Sequence, residues 1–216
     1  MKKLLYSLVL CCALLPAGAQ TLEKMQWFNE PAEWSVDEDR LTMRATPHSD
    51  YWRVSHYGFT VDDAPFCYAL YGGEFEAKVR ISGDYRVRFD QAGLMLRIDA
   101  ENWIKAGIEY VDGKYNLSVV VTHRTSDWSV IALDRPVEAV WIKAVRRLDA
   151  VEIYYSFDDV RYTMMRNAWL QDRTPVMVGM MAACPDGEGF DVSFDRFRVT
   201  HLPDLRRTKW LEEHAE

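Results

Sequence analysis

The chain is predicted to be all-β, with its strands either stacked as two antiparallel sheets or closed into a barrel. Three observations lead there. Short runs of alternating or β-branched apolar residues recur every 8 to 15 residues, separated by Gly, Asp-Gly, Pro or Asp-Asp punctuation. Helical periodicity is almost absent before the carboxyl-terminal end. The candidate strands number a dozen, more than one twisted open sheet usually carries, and that requires closure or a second layer.

In chain order the candidate strands are Leu41–Ala45, Tyr51–Phe59, Glu74–Ile81, Gln91–Ile98, Trp103–Tyr110, Tyr115–His123, Ser129–Leu133, Ala139–Arg146, Ala150–Ser156, Arg161–Asn167, Val176–Ala182 and Asp191–Thr200. Read as one continuous strand, Tyr51–Phe59 puts Trp52, Val54 and His56 on a shared face. Glu74-Phe75-Glu76 is expected to begin a strand at a sheet edge. Asp112-Gly113 is the strongest hairpin signal, and a two-residue turn there pairs Tyr110 with Tyr115, Ile108 with Leu117 and Ile104 with Val121. The apolar parity of both strands then coincides. Ile104, Ala106, Ile108, Leu117, Val119 and Val121 form the core side, joined by Ala92, Leu94, Leu96 and Ile98. Gln91, Met95, Arg97, Trp103, Lys105, Glu109, Asn116, Ser118, Val120 and Thr122 fall on the opposite face, which is expected to be open to water. Arg97 must lie opposite Trp103 or Lys105, and a contact over the Trp103 ring would contribute about 0.5–1 kcal/mol. A single β domain over residues 20–203 is followed by a charged, helix-compatible tail, 204–216.

The run Asp90 to Asp99, the run Asn102 to Tyr110, Ser118 to Thr122 and Ser126-Asp127-Trp128-Ser129 together resemble the DUF1349 family. Asp50-Tyr51-Trp52-Arg53 and His56-Tyr57-Gly58-Phe59 resemble another stretch of it. The resemblance implies a concanavalin A-like fold, an antiparallel two-sheet jelly-roll sandwich, and so decides against the barrel. It implies no particular reaction.

A sandwich of that type implies a concave face able to receive a ligand. Gln91, Arg97, Trp103, Lys105, Glu109 and Asn116 are the candidate ligand-binding residues on that face, an aromatic platform among directional hydrogen-bonding groups. Trp52 and His56 are added from the neighbouring segment, and Asp127 and Trp128 as a rim at a loop-to-strand junction. The expected ligand is a glycan or oligosaccharide, neutral or uronic, held without a cofactor by a lectin-like module. An ordinary solvated face is the structural alternative for the same residues.

Enzymatic constellations are sparse. Retaining glucanases of this fold carry Glu-x-Asp-x-Glu on one strand, which presents two carboxylates at about 5–5.5 Å, and the chain contains no such run. Glu109 paired with Asp90 or Asp99 keeps a glycoside hydrolase or lyase as the alternative, and a structural or regulatory partner-binding protein is the third reading. No catalytic residue is assigned. Phosphate-loop, dinucleotide, G-x-S-x-G and H-E-x-x-H motifs are absent. Asp62-Asp63, Asp158-Asp159 and Asp186-Gly187-Glu188-Gly189 read as turns rather than calcium loops, and no metal site is expected.

Met1-Lys2-Lys3, the apolar run Leu4 to Leu15 and Ala17-Gly18-Ala19 have the three parts of a secretory signal over residues 1–19, with cleavage before Gln20. The expected location is periplasmic or extracellular, with no membrane span. The formal net charge is −7, and loss of Lys2 and Lys3 with the leader makes it −9, which excludes nucleic acid as a partner. Cys67 and Cys184 remain in the mature chain. An exported location permits a disulfide, but sparse thiols this far apart are expected to be small buried hydrophobes.

Overall fold

The computed structural model describes residues 22–172 and 175–214; the predicted leader and its cleavage site lie outside the described residues. Among the described residues the alternating pattern becomes sixteen strands and one α-helix. In chain order these are β1 (Gln26–Phe28), β2 (Trp34–Asp37), β3 (Arg40–Arg44), β4 (Tyr51–Arg53), β5 (Thr60–Asp62), β6 (Phe66–Tyr71), β7 (Phe75–Gly83), β8 (Gln91–Asp99), β9 (Asn102–Val111), β10 (Lys114–His123), β11 (Thr125–Ala132), β12 (Val140–Arg147), β13 (Ala150–Ser156), β14 (Thr163–Trp169), β15 (Val176–Ala183), β16 (Asp191–His201) and α1 (Leu205–Glu213).

Two seven-stranded antiparallel sheets stack face to face. The first runs β1-β6-β15-β8-β9-β10-β11 and the second β14-β13-β12-β7-β16-β3-β2. This is the antiparallel two-sheet jelly-roll sandwich of the prediction. Between the sheets lies the main core, with Leu94, Leu96, Ile104, Ile108, Leu117 and Val119 meeting Phe75, Val79, Ile81, Ile142 and Phe194. Asp112 and Gly113 both take left-handed backbone angles, φ 51° and 76°, as a type I′ hairpin turn demands. The β9–β10 register is the predicted one, with Tyr110 opposite Tyr115, Ile108 opposite Leu117 and Ile104 opposite Val121.

Several expectations are corrected. Tyr51–Phe59 is not one strand: β4 ends at Arg53, the chain reverses through Val54 to Phe59, and β5 returns as its antiparallel partner. Trp52 and His56 therefore share no strand face. Phe75, expected at a sheet edge, lies on β7 in the middle of the second sheet. Ser126 to Ser129 are interior to β11 rather than at a junction.

The largest correction concerns the open face of the first sheet, because the β4–β5 hairpin lies across it. Tyr51, Trp52, Ala64 and Phe66 pack there against Met95, Trp103, Val120 and Met181 as a second apolar cluster. Covering these side chains removes apolar surface from water at roughly 25 cal/mol per Å². Polar anchors fix the hairpin in place. The Arg53 N–H donates to Ser126 Oγ, its Nε donates to the Arg124 carbonyl, and its guanidinium meets Glu101 at 3.0 Å. Gln91, Arg97, Trp103, Lys105, Glu109 and Asn116 are all buried as a result.

Cys67 and Cys184 are both buried with free thiols. Burial pushes the Cys67 thiol up to about 12 and, with an Asp90 hydrogen bond, Cys184 up to about 11. Neither is a ready nucleophile.

Candidate functional site

Where the hairpin stops covering the sheet, a cavity of about 260 Å³ remains, close to the lower end of the usual ligand-pocket range of about 300–1,000 Å³. Four segments wall it. The β4–β5 turn brings Trp52, Tyr57 and Phe59; the loop before β8 brings Arg88 and Phe89; β11 brings Trp128; the loop after β15 brings Pro185 and the exposed Asp186. Its floor is Gln91, Lys105, Glu109 and Val120, with Asp50 beside them.

Each aromatic wall has a local cause. Val54 and His56 adopt φ 64° and 62°, a region that a β-branched residue such as Val54 occupies only under strain. That tight reversal, closed by Val54 N–H bonding to the Phe59 carbonyl at 2.7 Å, returns Tyr57 and Phe59 to the cavity mouth, their rings stacked at 5.6 Å. Phe89 also sits at φ 68°. It is held there by buried Asp90, whose Oδ2 accepts from the Arg86 and Val87 N–H groups at 2.9 and 2.8 Å. Trp128 faces Val120 across the β10–β11 ladder.

The floor joins a carboxyl group and an ammonium that are both buried. Lys105 Nζ donates to the Tyr51 carbonyl at 2.7 Å and to Asp50 Oδ1 at 3.2 Å. Asp50 Oδ1 also accepts from the Tyr51 N–H and from Gln91 Nε2. Glu109 Oε2 accepts from Ser118 Oγ at 2.6 Å and Trp128 Nε1 at 2.8 Å. Burial raises the Glu109 carboxyl above its usual range, against the opposing pull of Lys105, Ser118 and Trp128. Among the described residues its other oxygen, Oε1, has no hydrogen-bond partner, and Glu109 lines the cavity.

Of the residues singled out from the sequence, Trp52, Gln91, Lys105, Glu109 and Trp128 come together around this cavity. The others do not join them. Arg97 makes a two-pronged ion pair with Asp62 at 2.5 and 2.6 Å under the hairpin. Although Arg97 is opposite Trp103 in register, its guanidinium lies over the Phe28 and Tyr51 rings, and it is Lys105 that sits over Trp103, 5.7 Å away. Trp103 is sealed in the second apolar cluster. Asn116 turns its amide onto the Glu109, Val111 and Lys114 carbonyls, fastening the hairpin end. His56 is exposed on the turn, its ring edge-on to Tyr57. Asp127 points away from Trp128, as neighbours on a strand must, and pairs with Arg166 at 2.6 Å. Asp90 is committed to its loop and to Cys184 Sγ.

Tyr57, Phe59, Phe89, Arg88 and Asp50 were not singled out. The available signal was Tyr57-Gly58-Phe59, aromatic residues flanking a turn former inside a supposed strand. Among the described residues no group of three or more His, Cys, Asp or Glu could hold a metal ion, and no helix is long and apolar enough to cross a membrane.

Residues 27–202 match the family model described as Protein of unknown function (DUF1349). The protein "Regulation of enolase protein 1" of Saccharomyces cerevisiae is 34% identical over 179 residues, covering 83% of this chain and 90% of that one. A solved structure of a functionally unknown protein from Saccharomyces cerevisiae superposes with a TM-score of 0.82 at 33% identity, covering 85% of this chain and all of that one. A xylan beta-1,4-xylosidase from Bacillus halodurans shares the fold over 38% of its own length and 84% of this chain, with TM-score 0.65 and 16% identity.

Proposed function

The chain belongs to the DUF1349 family, and on that premise we propose that it binds carbohydrate in the cavity over Lys105 and Glu109, as an exported lectin-like module without a cofactor or a catalytic step. Glu109 Oε1 carries this reading: a carboxyl oxygen of a buried residue, without a hydrogen-bond partner among the described residues, on the lining of a cavity that also presents Trp52, Tyr57, Phe59, Phe89 and Trp128. A sugar ring offers both complements. Its C–H faces lie against Trp52, Tyr57, Phe59, Phe89 or Trp128, while its hydroxyls reach Glu109, Gln91 and Asp50. The leader expected over residues 1–19 supports export to a compartment where free glycans occur.

Glu109 as an acid in a hydrolase is the weaker reading because Asp50 and Asp90 are committed elsewhere, which leaves the exposed Asp186 as the other carboxylate of the lining. Asp50 is tied to Lys105, and Asp90 to its loop. A regulatory, partner-binding role is the second reading, favoured by the relative named "Regulation of enolase protein 1"; the same cavity would then receive a side chain of another protein.

Calorimetry against a panel of plant and host oligosaccharides tests the proposal. Binding is expected with a dissociation constant between about 1 μM and 1 mM, as suits a small wet site, and with no release of reducing sugar. A folded protein that binds no member overturns it in favour of the partner-binding reading. Turnover that Glu109→Gln reduces by about 100-fold or more would establish the hydrolase.

A further inference from the structure

Resting on the carbohydrate-binding reading, we propose that the cavity selects a neutral, hydroxyl-rich sugar ring and rejects the matching uronate. The sequence leaves both open, since Arg97 and Lys105 share one sheet face and suggest a basic pair able to hold a carboxylate. The folded chain disposes of both cations. Arg97 lies outside the cavity lining, its guanidinium gripping both oxygens of Asp62. Lys105 stays on the floor, but its ammonium is engaged by the Tyr51 carbonyl and by Asp50. Arg88, the remaining cation of the lining, is exposed and stacks on the Phe89 ring at 4.3 Å.

The floor therefore has no free positive charge. A ligand carboxylate that reaches the floor must shed its water with no counter-charge beside it and must approach Asp50, because the Arg88 charge stays on the exposed wall, in a lining that also holds Asp186. A hydroxyl meets no such cost. Glu109 Oε1 accepts from it, and a protonated Glu109, which burial favours, offers it an O–H in return.

A second feature fits hydroxyl-sized groups. Gly93 and Gly107 face each other across β8 and β9. A Cβ on Gly93 would stand 2.3 Å from the Ala106 carbonyl oxygen, and one on Gly107 1.9 Å from that of Ala92, so glycine is required by the close backbone approach. The bare stretch leaves a niche of about 10 Å³ beside Gln91, Lys105, Glu109, Ser118 and Met181. That is room for about one water or one hydroxyl.

Matched methyl glycosides test the inference: glucoside against glucuronide, galactoside against galacturonide, titrated at pH 7 by calorimetry or by protein NMR shifts. The neutral member of a bound pair is expected to win by about tenfold or more. Asp50→Asn removes the charge that balances the Lys105 ammonium while keeping the oxygen that accepts from Lys105 Nζ and the Tyr51 N–H, and is expected to shift the ratio about tenfold toward the uronide, with the melting temperature recorded to establish folding. A uronide that binds the unaltered protein as well as its neutral partner, or a ratio that folded Asp50→Asn leaves unchanged, overturns the selectivity but leaves carbohydrate binding standing. Failure of every pair to bind overturns both.

Discussion

The outer face of the first sheet carries Arg97, Lys105 and Glu109, and the outer face of the second carries Lys78, Arg80 and Lys143 in the same alternating style. Only the first is covered. Under the β4–β5 hairpin the Arg97 side chain keeps 4% of its surface and Lys105 6%, whereas Lys78 and Arg80 keep 25% and 30%. Each cation has a carboxylate partner: Asp62 and Asp50 on the first sheet, Asp159 and Asp195 on the second. The pairs look alike and differ in solvation. On the second sheet water and salt screen the Lys78–Asp159 pair, both of whose side chains keep at least a quarter of their surface, so it contributes little. On the first, pairing is the condition on which burial is tolerated at all. A charge retained in a dry place thus separates the candidate site from a surface of similar composition.

Asp62 and Asp159 sharpen this, because both keep 28% of their side-chain surface while their partners differ. Asp62→Ala leaves the buried Arg97 guanidinium without its carboxylate and is expected to cost about 3–5 kcal/mol. Asp159→Ala releases a lysine that can turn to water, at about 1 kcal/mol or less. Urea denaturation measures both. Equal losses would mean that the covering hairpin does not desolvate its face.

This difference between the faces was not legible in the sequence, although much of the fold was. Period-2 alternation and Asp112-Gly113 gave the β9–β10 register residue by residue, because a two-residue turn leaves one pairing that keeps Ile108 and Leu117 on the same side. Alternation says that a strand has two faces and is silent on whether something lies over the second. The hint was Met95, Trp103 and Val120, three apolar residues on the side assigned to water, which now form the floor of the second cluster. Trp52, Gln91, Lys105, Glu109 and Trp128 were found because they share strands whose register was readable or adjoin them. Tyr57 and Phe59 were missed because their placement depends on Val54 and His56 entering the left-handed region, which a β-branched residue such as Val54 does not announce.

The cover can also be tested where it contributes to the site. Tyr57 and Phe59 are exposed at the cavity mouth, so truncating Phe59 to Ala should change stability by no more than about 0.5 kcal/mol. Sugar affinity should fall by about tenfold, the loss of one stacking surface. Met164, an exposed apolar side chain on β14 of the second sheet, is outside the cavity lining; Met164→Ala should leave affinity unchanged. Calorimetry with any bound oligosaccharide compares them, and equal losses would place the ligand elsewhere.

The smallest expected effect is a pH dependence confined to the covered face. Burial raises the Glu109 carboxyl, with Lys105 opposing and Asp50 adding to the shift. The folded protein therefore holds this proton at pH values where the unfolded chain, near its ordinary value of about 4.3, has released it. The contribution of Glu109 to stability is fully present below that value and declines as pH rises through the folded one. In Glu109→Gln the amide oxygen would still accept the Ser118 and Trp128 hydrogen bonds but the side chain has no proton to lose. The melting temperature of that variant minus that of the unaltered protein should therefore increase between pH 4 and pH 8. Each kcal/mol involved corresponds to about 2–4 °C for a chain of this size. A Glu109→Gln difference that is flat with pH, or that shrinks as pH rises, would show that this carboxyl is no harder to ionise beneath the hairpin than in water.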